Sequence, residues 1–319
     1  MSLAPRYVLV TGATGFVGAH VVDLLLERGI KVTGTARSQS KANEMKTRRT
    51  QYGDLFSMTI TGEITAPNVF DNAVQDVDVV IHVASPVPRG TGISSSEQDI
   101  VLPAIKGTQS ILKSMEKSPL VKRVVLTSSF GALFDKSRDP NEPYTYTSED
   151  WNPATYEEAV VCSPSSVNTN GEKIDLTVFC PPIVFGPWVH PLEKIWSLGI
   201  TRDSFAAARS TTWVDVRDLA LAHVEAAYIR PETNNKRFVV CSPEKSSYQE
   251  ETQIIKEEFP EWSEKVALPP GGLPRAKTTL DGSPLTKELG IKYTSSRECM
   301  VALAKQLHDQ AVKEGLLAL

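Results

Sequence analysis

Residues 7–29 constrain this chain more than any other stretch. Tyr7-Val-Leu-Val10 is a short apolar run, as expected of a strand buried on both faces. Thr11-Gly-Ala-Thr-Gly-Phe-Val-Gly18 follows at once, and Val17–Arg28 then shows helical periodicity ended by Gly29. A strand that turns straight into a helix through glycines at 12, 15 and 18 has little else to become than the opening of a βαβ unit. Gly12 can take the tight turn, Gly15 lets a ligand approach the backbone, and Gly18 lets the helix pack close on the strand. The free N–H groups and positive dipole end of that helix then face whatever lies above the turn, and both favour phosphate. The spacing is G-x-x-G-x-x-G. In this strand–helix context it predicts a dinucleotide whose pyrophosphate lies against Gly12, Thr14, Gly15, Phe16, Val17 and Gly18. A tight turn without a ligand is the alternative.

The second predicted strand, Lys31–Ala36, decides which dinucleotide. An acid at its end would bond a ribose 2′-hydroxyl and favour NAD. Here the stretch is Ala36-Arg37-Ser38-Gln39-Ser40-Lys41. Arg37 and Lys41 can pair with a 2′-phosphate, so the cofactor expected is NADP(H). A solvated basic turn would use the same residues.

Further strands are predicted at 57–61, 77–83, 123–127 and 174–179. Helices are predicted at 96–116, with Pro103 inside, at 214–228, capped by Asp215, and near 296–313; a strand is predicted at 236–241. Strands alternating with helices predict an α/β fold, a Rossmann-type doubly wound parallel sheet with right-handed crossovers. After Gly186 the alternation breaks down, and prolines stand at 260, 269, 270, 274 and 284. The expected division is a nucleotide-binding domain over 1–187 plus about 213–241, and a smaller C-terminal substrate-binding portion over about 188–212 and 242–319.

Composition removes whole classes of function. The 319 residues are 41% hydrophobic and 23% charged, with net charge −4, so a sizeable core is available. Lys46-Thr-Arg-Arg49 is the densest basic stretch and too short for a nucleic-acid footprint; it reads as a solvated helix end. No run is apolar enough to span a membrane and the N-terminus lacks a signal-peptide pattern, so neither nucleic acid nor membrane is expected as a partner. Cys162, Cys180, Cys241 and Cys299 lie far apart, with Cys180 and Cys241 in apolar runs; buried free thiols in a reducing, cytoplasmic compartment are expected.

Several segments now stand in order: TGATGFVG, the ARS-x-x-K turn, GEIT at 62–65, HVASP at 82–86, PAIKGT at 103–108, VVLTSS at 124–129, PPIVFGP at 181–187 and WVDVRDLALAH at 213–223. Together they resemble the extended short-chain dehydrogenase/reductase family, in the branch holding dihydroflavonol reductases, cinnamoyl-CoA reductases and fungal methylglyoxal/aldehyde reductases. The likeness covers nearly the whole chain. It implies an NADP-dependent oxidoreductase acting on a small carbonyl substrate. It also implies that Glu63 and Ile64 flank the adenine, that Val83, Ala84, Ser85 and Thr127 line the cofactor pocket, that Ser129 hydrogen-bonds the substrate carbonyl, and that Pro182 and Val184 lie near the nicotinamide. His82 is read as a satisfied strand residue, Asp215 as a helix cap, and Trp188, Trp196 and Trp213 first as core. No metal is expected.

One departure stands out. The family carries Tyr-x-x-x-Lys on a helix between the fifth and sixth strands. That spacing sets an ammonium beside the phenol and lowers its pKa from about 10, so that tyrosine can protonate the carbonyl oxygen. The residues four beyond Tyr7, Tyr52, Tyr144, Tyr146, Tyr156, Tyr228, Tyr248 and Tyr293 are Thr11, Phe56, Ser148, Asp150, Val160, Glu232, Thr252 and Arg297; none is lysine. The flanks, Glu149–Ala159 with a Thr155/Glu158 capping-box pattern and Ile174–Phe179, resemble the family's, but the interval 162–173 reads Cys-Ser-Pro-Ser-Ser-Val-Asn-Thr-Asn-Gly-Glu-Lys and predicts no helix. The catalytic helix is therefore missing as a unit, and apolar residues on one sheet face should lose their cover. Three outcomes stay open: a reductase with impaired turnover, an NADP-binding protein without redox chemistry (a regulator or a non-redox isomerase or cyclase), or a splice or gene-model variant of a carbonyl reductase. The substrate and the oligomeric state stay open too, since dimerising relatives often pair through the helix absent here.

Overall fold

The computed structural model describes residues 4–85, 102–139, 141–153, 171, 173–190, 212–228, 230–260 and 277–314. In chain order the elements are β1 (Tyr7–Thr11), α1 (Phe16–Glu27), β2 (Lys31–Ala36), α2 (Gln39–Thr47), β3 (Phe56–Ile60), β4 (Val79–His82), α3 (Leu102–Glu116), β5 (Arg123–Thr127), β6 (Tyr144–Tyr146), β7 (Asp175–Cys180) and β8 (Ile183–Phe185). They continue with β9 (Trp213–Asp215), α4 (Val216–Ala227), β10 (Lys236–Val239), α5 (Tyr248–Glu258), β11 (Thr278–Leu280), α6 (Ser283–Leu289) and α7 (Ser296–Lys313). Seven strands form one parallel sheet in the order β10-β7-β5-β4-β1-β2-β3. The expected α/β class and doubly wound sheet are what the chain adopts. The predicted strands form within a residue or two of their expected bounds.

The chain divides into two compact units. One comprises Met1–Ser128, Pro153–Phe179 and Ala220–Arg237; the other comprises Ser129–Asn152, Cys180–Leu219 and Phe238–Leu319. The first unit owes its core to strands covered on both faces. Val8, Leu9, Val10, Val79, Val80 and Ile81 are fully buried, so β1 and β4 read as unbroken apolar runs rather than alternating ones. Leu9, Val80 and Val124 pack with Ile111 and Met115 of α3 and with Phe70, Val74 and Val77. Each such side chain contributes about 1.5–3 kcal/mol on burial. The edge strand β3 is half-buried and ends on Ile60, 43% exposed.

Among the described residues, two arginines are buried. Lys46–Arg49 is not wholly a solvated helix end. α2 stops at Thr47, and Arg49 turns inward, 3% exposed, with its Nε donating to Asp23 at 2.6 Å. Arg123 opens β5 and is entirely buried. Its guanidinium donates to the Ala226 carbonyl and the Thr233 hydroxyl, to Asn234 Oδ1 at 2.5 Å and to Thr177 Oγ1 at 2.9 Å. Burial pushes its pKa down to about 10, which leaves it charged at neutral pH. One cation thus ties the C-terminal end of α4 to β7 through satisfied bonds, as a buried charge requires.

The face of β7 expected to lose its cover is only partly open. Thr177 and Phe179 are buried, whereas Leu176 and Val178 on the opposite face are half-buried, Leu176 against the α3 cluster. Residues 154–170, with Tyr156, Cys162 and the predicted capping box, lie outside the described residues, as do 86–101 and Trp196. The described part of α3 places Pro103 in its first turn, where its missing N–H costs least.

In the second unit β8 pairs in parallel with β9, and β6 with β11. Asp215 caps α4 as expected: its Oδ1 accepts the Arg217 N–H at 2.8 Å and the Arg217 guanidinium grips both carboxylate oxygens. Trp213 is a core residue, 1% exposed, with Nε1 on the Glu244 carbonyl at 2.9 Å. The backbone of Trp188 is held from both sides by the Gln306 amide. Capping boxes start α5 at Ser247/Glu250 and α7 at Ser295/Glu298. Cys180, Cys241 and Cys299 are buried free thiols. Among the described residues no helix is long and apolar enough to cross a membrane, and no cluster of potential metal ligands exists.

Candidate functional site

Within the first unit, the chain leaves β1 for β2 and β3 on one side, then crosses to β4 and β5 on the other. The carboxyl ends of β1 and β4 therefore border a crevice at the point where the strand order reverses. Gly12 follows β1 with φ of +68°, a left-handed conformation open to glycine. Any Cβ there would stand 2.9 Å from the Ala84 nitrogen, so the turn after β1 touches the loop after β4. A Cβ at Gly18 would lie 2.2 Å from the Gly12 carbonyl oxygen, which is how closely α1 passes over the turn. Gly15 is the N-cap of α1; it is exposed, no side chain caps the helix there, and no acid stands in the first turn. The turn is closed by its own backbone instead, Gly15 N–H to the Gly12 carbonyl at 2.9 Å. This cradle fits a pyrophosphate, because it combines uncapped helix-terminal donors with close backbone approach.

A buried polar chain holds the two strand ends together. Thr11 Oγ1 accepts the Ala84 N–H at 3.2 Å and pairs with His82 Nδ1 at 2.8 Å, while Phe70 meets the imidazole edge-on. Burial pushes His82 down to about 4, so it is neutral at pH 7. The reading of His82 as a satisfied strand residue holds. Thr11 and its hydroxyl were missed by sequence reasoning, since a threonine ending a strand carries no signal of its own. Thr127, at the end of β5, turns its hydroxyl to His223 Nε2 of α4 at 2.6 Å.

Arg37 and Ser38 leave the end of β2 exposed, and Thr61 donates to the Ala36 carbonyl at 3.1 Å, which brings Gly62, Glu63 and Ile64 beside that corner. Glu63 is exposed; Ile64 is half-buried and packs over Gly107 of α3, where any Cβ would come within 2.9 Å of it. Lys41 sits in the first turn of α2 and already has an acid, Glu44 Oε2, at 3.0 Å. Of the residues expected at a cofactor, Gly12, Thr14, Gly15, Phe16, Val17, Gly18, Arg37, Lys41, Glu63, Ile64, Val83, Ala84, Ser85 and Thr127 all belong to this one unit.

Ser129, Pro182 and Val184 belong to the second unit. Ser129 is exposed and caps a short 3-10 turn, its Oγ accepting the Gly131 N–H at 3.1 Å. Three segments meet here. Phe130 N–H donates to the Pro181 carbonyl at 2.8 Å, which draws in Pro182 and the β8 strand that carries Val184. Asn152 donates through its backbone to the Ala132 carbonyl at 2.8 Å and through Nδ2 to the Gly131 carbonyl at 2.9 Å. The neighbouring Trp151 is 65% exposed. Sequence reasoning missed Asn152; the Asn-Pro pair signals a turn but does not say what the turn is fastened to. The Ser129 hydroxyl keeps its own proton unengaged by other described side chains, so it can donate to an oxygen brought to it.

Residues 8–241 match the NAD dependent epimerase/dehydratase family. A protein of Schizosaccharomyces pombe named as an uncharacterized oxidoreductase is 33% identical, over 97% of this chain and 99% of that protein. The NADPH-dependent methylglyoxal reductase of Saccharomyces cerevisiae is 32% identical, over 94% of this chain and 97% of that protein. Among solved structures, yeast methylglyoxal/isovaleraldehyde reductase complexed with NADPH is similar at a TM-score of 0.78 and 29% identity, over 98% of this chain and all of that one. The first two alignments run over 336 and 341 positions, more than the 319 residues of this chain, so both relatives carry residues without a counterpart here.

Proposed function

The chain belongs to the NAD dependent epimerase/dehydratase family, and on that premise we propose that it is an NADP(H)-dependent reductase of a small aldehyde or ketone whose turnover is impaired by loss of the Tyr-x-x-x-Lys pair. The observation that carries the cofactor half is the uncapped N-terminus of α1 above a turn that only glycine can close. The yeast methylglyoxal reductase is named NADPH-dependent and its solved structure is complexed with NADPH, which supports the same cofactor here.

Bound NADPH supplies a hydride. The chain's residues do the rest. The α1 N–H groups hold the pyrophosphate, Arg37 and Lys41 meet the 2′-phosphate, and Glu63 and Ile64 flank the adenine. Val83, Ala84, Ser85 and Thr127 line the remainder of the pocket. Ser129 donates a hydrogen bond to the carbonyl oxygen and stabilises the charge that grows there. What the chain lacks is a strong general acid for the final proton. Water or Tyr156 can supply it, with Lys173 as a source of positive charge. Loss of one general acid costs about 10²–10⁴-fold. The relatives' extra residues support the loss of a segment.

The missing pair also favours a second reading, an NADP-binding protein without redox chemistry. Calorimetric titration with NADPH and NADH, followed by NADPH consumption on a panel of aldehydes, separates the two. Micromolar NADPH binding with weaker NADH binding, and slow turnover that falls about 100-fold in Ser129→Ala, is the expected result. Tight NADPH binding with no turnover on any carbonyl establishes the second reading. Binding of neither cofactor overturns both, and a transcript encoding Tyr-x-x-x-Lys at this place would make the chain a variant of an ordinary reductase.

A further inference from the structure

The two cations at the end of β2 are not equivalent. Arg37 is exposed and has no side-chain partner among the described residues. Lys41 is held. Its ammonium lies 3.0 Å from Glu44 Oε2, and Glu44 also reaches Arg48 at 3.4 Å through its other oxygen. We propose that Glu44 tunes the choice of dinucleotide by competing with the 2′-phosphate for Lys41. This rests on the reading that the 2′-phosphate meets Arg37 and Lys41.

The placement of Lys41 makes little sense for the helix alone. α2 begins at Gln39, with Ser38 as N-cap accepting the Lys41 N–H at 3.4 Å, so the ammonium stands in the first turn. The helix dipole is positive there and disfavours a cation. The first turn contains no acid to offset it. Glu44, a partner that Lys41 does find, lies three residues toward the C-terminus, and a lysine N-terminal to its glutamate is the poorer order for a helical ion pair. Both features weaken the helix, and both suit an anion arriving at the turn.

Glu44 then acts as a stand-in for that anion. The side chains of Lys41, Glu44 and Arg48 are 50%, 32% and 39% exposed, so the pairs are screened by water and easily broken. A phosphate dianion must either displace the carboxylate or bind beside it. The first cost arises only when an anion claims Lys41, and the second scales with the charge on the 2′-substituent. A 2′-hydroxyl incurs neither. Glu44 therefore lowers affinity for NADP(H) while leaving NAD(H) alone, which narrows the margin between the two cofactors.

The test is calorimetry on the full chain with NADPH and NADH, for the parent, Glu44→Gln, Lys41→Met, Arg37→Met and the Glu44→Gln/Lys41→Met double variant. Glu44→Gln is expected to tighten NADPH about three- to fivefold at low salt, with NADH unchanged, and high salt should erase the gain. The gain should vanish in the Lys41→Met background, because it acts through Lys41. An NADPH affinity that Glu44→Gln leaves unchanged or weakens, while Arg37→Met weakens NADPH selectively, sinks the role of Glu44 and leaves the cofactor reading standing. A gain that persists without Lys41 also overturns it. If Arg37→Met and Lys41→Met weaken NADPH no more than NADH, the 2′-phosphate does not lie at this corner, and both inference and reading fall.

Discussion

The turn after β1 and the turn beginning at Ser129, which follows β5, are built from different materials. Around Gly12 the fit is backbone against backbone: the positions that matter are those where a side chain is forbidden, and a buried Thr11–His82 pair braces the strand ends. Around Ser129 the fit is made by three segments fastened by a few hydrogen bonds, with Ser129 and Trp151 both exposed. A backbone-built site tolerates no substitution but needs no partner residues. A site built from side chains supplied by distant segments can lose one of them and keep its shape. On the function proposed above, that is how a chain can retain a cofactor cradle while its proton donor is lost.

The comparison breaks most sharply at Gly18. Gly18→Val would drive Cβ to 2.2 Å from the Gly12 carbonyl and lever α1 off the turn. NADPH binding should fall by more than about 100-fold and stability by about 3 kcal/mol or more, read by calorimetry and thermal unfolding. Retained binding would show that the turn is softer than its contacts imply.

A comparable but pH-dependent effect is expected at His82. Burial lowers its pKa from 6.5 to about 4, so between those values the unfolded chain binds a proton that the folded chain refuses. Its contribution is fully present above pH 6.5 and is lost as pH falls toward 4, at most about 3 kcal/mol. Denaturant titrations from pH 7 to 4.5 should show that decline in the parent and a shallower one in His82→Gln; equal slopes would remove His82 from the account.

The smallest effect belongs to the other turn. Asn152→Ala deletes one side-chain hydrogen bond to the Gly131 carbonyl at a half-exposed position and keeps the backbone bond to Ala132. Stability should drop by only about 1 kcal/mol, with NADPH affinity unchanged and residual turnover lowered with the displaced Ser129. A loss of cofactor binding would mean that the two turns are not independently built.

The β1 turn was legible because glycine spacing states a steric requirement directly. α2 was not, because only Ala42 and Met45 of its residues are buried and no apolar stripe marks it. The strands β6, β8, β9 and β11, three residues each, are too short to show a period. Arg49 looked like a solvated charge because nothing local reveals that Asp23 of α1 stands ready to receive it.

The sequence by itself determined the strand–turn–helix cradle, the alternation that makes a parallel sheet, the basic corner at Arg37 and Lys41, and the lack of any tyrosine with lysine four residues on. These are local properties: a φ only glycine takes freely, a run of apolar residues, a spacing along one helix face. The tertiary structure alone decided that Ala84 meets Gly12, that Arg123 joins α4 to β7, and that Asn152 and Pro181 fasten the Ser129 turn. All three link residues far apart in sequence. Such pairings follow from which buried donors find acceptors once the chain is compact, and no local pattern encodes that.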